Sequence, residues 1–162
     1  MNGTVREVAP EVDANTLLSG AQFADAFRVE IGAAQVNARE ACTRMVLHGP
    51  RWVDALLRLR NILVRPFGLK TSGEGAPAPG GLIGLFPVLS ETPERLVAGF
   101  DDSHLDFRIV IDASGDAAGR QVTLTTLVRT HNRLGRTYLA FITPFHKLVA
   151  RSMMARILEP AR

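Results

Sequence analysis

The chain has four histidines, His48, His104, His131 and His146, and a single tyrosine, Tyr138. Histidine titrates near neutral pH, so these positions are where proton chemistry would be sought. In "DDSHLDFR", His104 is surrounded by Asp101, Asp102 and Asp106. A carboxylate beside an imidazole, such as Asp106 beside His104, could act as an acid/base pair. The competing reading is a hairpin turn followed by a solvent-facing ladder of charges. Arg129, His131, Asn132 and Arg136 fall where a strand pattern gives way to a helical one. Asn132 has the type and position of a helix N-cap. Tyr138 and His146 are eight residues apart, roughly two helical turns, so both can face the same way. In a core, each would simply find a local hydrogen-bond partner. In an apolar pocket they are the best candidates for the polar groups that orient a ligand.

Several chemistries lack their residues. No two histidines stand at i,i+4, and no cysteine or carboxylate cluster joins them. A structural metal needs about four converging ligands, so no metal is expected. The segment "TSGEGAPAPGG" (71–81) lacks the Gly-Lys-Ser/Thr ending of a phosphate loop and reads as an exposed loop. No dinucleotide fingerprint or nucleophile elbow is present, and no cofactor is expected. Cys42 has no second cysteine to pair with and reads as a small buried helix residue. The strand aromatics fall on the core side, which argues against a stacking platform for nucleic acid.

The elements that must position these residues follow from composition and periodicity. With 162 residues and 46% apolar content, the chain is long enough for one domain with a real core. It has neither a membrane-length apolar run nor a signal-like N-terminus, so a cytoplasmic location is expected and membrane contact is not. Residues 129–162 hold seven arginines and lysines against one acid, and the rest of the chain is net acidic. That basic segment reads as a solvated helix face.

Residues 1–20 read as a loose lead-in. "FADAFRVEI" (23–31) alternates as a half-buried strand, with Phe23, Phe27, Val29 and Ile31 on one side. Asn37 and Glu40 resemble a capping box opening a helix. Gly49-Pro50 separates it from a second helix with Trp52, Leu56, Leu59 and Leu63 at helical spacing. Four strand-like runs follow, 82–90, 95–101, 104–112 and 120–131, joined by turn residues that make neighbours antiparallel. A two-residue turn at Asp102-Ser103 sets Ala98 opposite Phe107, and pairing Asp112 with Gln121 sets Ile109 opposite Leu124. This register gathers Leu105, Phe107 and Ile109 on one apolar face and puts His104, Asp106, Arg108, Arg129 and His131 on the other. Asp106 then falls diagonal to Arg129.

The last segment is a helix from about Leu134. Its stripe is Leu134, Tyr138, Phe141, Phe145, Leu148 and Leu158, with Ile142, Val149 and Met153. Pro144 should kink or interrupt it.

Four segments resemble a known group: "ADAFRVE" (24–30), "PRWVDALLRLRNILVRPFGLK" (50–70), "FPVLSETPERLVAGFDDSHLDFRIVI" (86–111) and "TTLVRTHNRLGRTYLAFITPFHKLVARSMM" (125–154). They are similar to an uncharacterised bacterial family, domain-of-unknown-function 2867. That family looks related to the START-like, or helix-grip, superfamily. The resemblance implies an antiparallel sheet wrapped around a long C-terminal helix with an apolar cavity between them. It implies no activity and no catalytic residues.

The expectation is therefore one α+β domain over 1–162, START-like, with two helices after the first strand. The function expected is binding of a small apolar or amphipathic molecule between the sheet and the final helix. The candidate lining is Tyr138, His146, Phe141, Phe145, Trp52, Phe107, Arg129 and His131. One alternative is a cyclase, hydrolase or isomerase using Tyr138, His146 or His104–Asp106. Another is a partner- or membrane-surface protein using the basic final helix. The sequence leaves the oligomeric state open.

Overall fold

Strand segments from the first third of the chain to residue 130 build, among the described residues, a seven-stranded, fully antiparallel curved sheet. The computed structural model describes residues 3–47, 49–67, 80–84 and 86–159. His48 and positions 71–79 of the expected glycine- and proline-rich loop lie outside the described residues. The strands are β1 (Arg6–Val8), β2 (Phe23–Gly32), β3 (Leu82–Ile83), β4 (Phe86–Glu91), β5 (Arg95–Asp101), β6 (Leu105–Asp116) and β7 (Gly119–Thr130). Their order in the sheet is β1-β2-β7-β6-β5-β4-β3. The helices are α1 (Ala14–Leu17), α2 (Ala38–Leu47), α3 (Arg51–Val64) and α4 (Arg133–Ala155). A 3-10 turn, Arg156–Leu158, extends α4.

Two expected elements differ in detail. The lead-in is partly ordered, because Arg6–Val8 pairs along the edge of β2. The run 82–90 is a small hairpin, with Ile83 opposite Phe86 across a turn at Gly84. Gly84 sits at φ +59, a left-handed conformation that glycine adopts without penalty.

The register of the long strands is offset by two residues from the expected one. Phe100 faces Phe107 and Ala98 faces Ile109, because residues 102–105 form a longer turn than the two residues assumed. Asp102 organises that turn, its Oδ1 accepting from the Ser103 amide at 2.6 Å. Likewise Ile109 faces Thr126 and Ile111 faces Leu124, because β6 continues to Asp116 before turning. Side chains alternate with period two, so an offset of two leaves every residue on its original face. Leu105, Phe107 and Ile109 accordingly face inward.

The concave face is covered by α2, packed on β5 and β6, and by α4, packed on β2 and β7. Asn37 caps α2, its Oδ1 accepting from the Glu40 amide at 2.8 Å. Arg39 ties α2 to β4 through a two-pronged contact with Glu91. The core joins Phe27, Val29, Leu96, Ile111 and Val122 of the sheet to Ala41, Cys42 and Met45 of α2 and to Ala150, Met154 and Ile157 at the chain's C-terminal end. Val53 of α3 is buried, whereas Trp52, Leu59 and Ile62 are exposed.

Candidate functional site

A cavity of about 230 Å³ lies between the concave face and α4. The sheet lines it with Phe23, Phe100, Leu105, Phe107, Ile109 and Val128, and α4 with Tyr138, Leu139, Ile142, Thr143 and His146. Cys42, Met45 and Val46 of α2 close the end next to the core. The Cys42 thiol is pushed up to about 12 by burial. It is a packed core residue with no thiolate character.

The start of α4 decides which residues face this space. Asn132 caps the helix, its Oδ1 accepting from the Gly135 amide at 2.9 Å. Gly135 lies against the backbone of His104, and a Cβ there would stand 2.1 Å from the His104 carbonyl oxygen. With Gly135 turned to the sheet, the positions that follow it inward are Leu139, Ile142, His146, Val149, Ala150 and Met153. This is a rotation of about one residue, roughly 100°, from the expected stripe. Phe141 (67% exposed), Phe145 (46%) and Leu148 (55%) therefore face outward. Tyr138 falls at the boundary and lines the cavity. Pro144 does not interrupt the helix, which runs continuously from Arg133 to Ala155. It is exposed, and Thr143 keeps the adjacent turn closed by donating from Oγ1 to the Leu139 carbonyl at 2.6 Å.

Of the expected lining residues, the structure brings Tyr138, His146 and Phe107 together around the cavity. Phe141, Phe145 and Trp52 stand outside it, and Arg129 and His131 belong to the opposite side of the sheet. There Asp106 and Arg129 are direct cross-strand partners rather than diagonal ones. Their side chains nevertheless bond elsewhere. Asp106 Oδ1 lies 2.9 Å from His131 Nε2, and Arg129 donates to the Ser19 carbonyl at 3.2 Å. Asp106 is nearly buried, so this face is not the solvated ladder of charges expected there. His104 Nδ1 is 2.8 Å from the side-chain Nδ2 of Asn132, so His104 and Asp106 are each engaged with a different partner.

One residue of the site escaped the sequence reading. Asp25 on β2 is 5% exposed, and its Oδ1 lies 3.2 Å from His146 Nε2. It is the cross-strand partner of Thr126 on β7, which lines the cavity. Asp25 Oδ2 and Thr126 Oγ1 are buried and have no hydrogen-bond partner among the described residues. The ring of Phe23 meets His146 edge-on, with centroids 6.1 Å apart. The signal was present in the sequence: Asp25 has the same parity as Phe23, Phe27, Val29 and Ile31, so it is the polar residue on an otherwise apolar strand face.

Among the described residues, no three His, Cys, Asp or Glu side chains gather as metal ligands, and no helix is long and apolar enough to cross a membrane. The fold and site define an α+β protein whose curved sheet and long C-terminal helix flank a partly open apolar cavity, with His146 at its wall and Asp25 bonded behind it. The family described as protein of unknown function (DUF2867) matches residues 17–153, and the chain belongs to that family. The comparison with curated proteins returned no match.

Proposed function

We propose that the protein binds a small apolar or amphipathic molecule in the cavity under α4. The observation behind this reading is the lining. About 230 Å³ of space is walled by Phe23, Phe86, Phe100, Phe107, Ile142 and their apolar neighbours, with few polar groups. Interiors normally close such voids, because each unfilled contact forfeits dispersion energy and water gains little there. An apolar guest supplies the missing contacts. The volume lies near the small end of ligand pockets, which favours a compact molecule or a short chain. A cytoplasmic location goes with this reading.

The test is titration of the purified protein with the neutral apolar dye Nile red. Saturable binding to the wild type is expected. Ile142→Trp, which fills the cavity from α4, should abolish it while a cooperative melt is retained. Equal binding by wild type and variant would place the dye on the exposed apolar residues and overturn the reading.

A further inference from the structure

Resting on that cavity reading, we propose that the His146–Asp25 pair selects guests whose polar end is an uncharged hydroxyl and rejects guests that end in a carboxylate. Asp25 and Thr126 are opposite each other on neighbouring strands, so their side chains emerge on the same face, and His146 reaches that face from α4. An ionised carboxylate can only accept, so the 3.2 Å contact requires the proton to be on His146 Nε2. In the neutral ring that leaves Nδ1 as an acceptor, and the ring lines the cavity. A guest hydroxyl can donate to it, and the buried hydroxyl of Thr126 is a second group in need of a partner.

The same site is hostile to an anion. No described lysine or arginine lines the cavity. The cations nearest His146 on α4, Lys147 and Arg151, are held outside by Glu7, at 2.7 Å and 3.4 Å. The hydrogen bond from Lys147 keeps the Glu7 carboxyl below its ordinary range, so this clamp stays charged at neutral pH. A guest carboxylate would therefore lose its water beside the buried charge of Asp25 and find no counter-ion. A hydroxyl incurs a far smaller desolvation cost, and its chain meets the aromatic and aliphatic wall.

The experiment is displacement of Nile red by octanol and by octanoate near pH 7.5, with melts recorded for every variant. In the wild type, octanol should displace the dye at a concentration about tenfold or more below that of octanoate. Asp25→Asn removes the charge and keeps the shape, and it should narrow this gap severalfold by improving octanoate. His146→Phe removes the acceptor and keeps a ring, and it should weaken octanol while leaving octanoate unchanged. Equal potency of the two probes in the wild type, or a gap untouched by either substitution, overturns the selection by His146 and Asp25. Those outcomes leave the cavity reading intact, because that reading fails if the wild type does not bind dye saturably or if Ile142→Trp binds it as well as the wild type.

Discussion

Beyond Pro144, α4 puts Ala150 and Met154 into the same cluster as Phe27, Val29 and Cys42, and Ile157 follows in the next turn. Earlier along the same helix Leu139 and Ile142, and His146 one turn further on, stand over open space. The sheet beneath is continuous, and a single strand serves both regions: Ile111 of β6 is fully buried, while Phe107 and Ile109 are half-buried at the cavity. The difference lies in what else covers the face. At the packed end α2 shares the work, and its small residues Ala38, Ala41 and Cys42 let the layers approach closely. At the open end α2 reaches in only with Cys42, Met45 and Val46, and α4 supplies the rest of the helical wall. Where the two helices reach the sheet with fewer side chains, the width between them is left unfilled and a void remains. The packed part of α4 holds the fold together, and the part over the cavity leaves the space in which the proposed guest would sit.

The contrast can be broken by mutation, and the largest effect should come from the packed half. Met154→Ala should cost about 2–5 kcal/mol in denaturant unfolding, because Met154 is fully buried in the core. Ile142→Ala, over the cavity, should cost only about 1 kcal/mol, because its side chain already borders empty space. The variant should also accept a bulkier dye. If the two losses are equal, the halves of α4 are packed alike and the cavity is closed in solution. Phe145→Ser should change stability by no more than about 0.5 kcal/mol, given its outward position. A loss of several kcal/mol in that unfolding curve would show the stripe Phe141–Phe145–Leu148 to be covered.

The thiol of Cys42 sharpens the same comparison chemically. It borders both regions but is raised by burial from its ordinary 9.0 to about 12. A disulfide reagent at pH 8 should react with it at the rate of unfolding, and fast labelling of the native protein would show the cavity wall opening. The sign of its pH dependence follows: its contribution to stability is complete below the ordinary thiol value and is lost as pH rises toward the folded value.

Much of the scaffold was legible because it depends on local periodicity. The alternation in β2, β6 and β7 placed Leu105, Phe107 and Ile109 inward even though the turn at residues 102–105 was longer than assumed, since a two-residue offset preserves the face. The caps at Asn37 and Asn132 were readable as single residues. The inward side of α4 was not. Two stripes of similar apolarity lie side by side on that helix, and the larger aromatics Phe141 and Phe145 pointed to the wrong one.

What the sequence by itself determined is the α+β order, the antiparallel pairing and the apolar face of the sheet, all set by short-range patterns with a period of two or 3.6. What only the tertiary structure decided is the rotation of α4 and the meeting of Asp25 with His146, 121 positions apart. Both depend on one close approach, Gly135 against the His104 carbonyl, which fixes the helix's facing through a contact that no periodicity encodes.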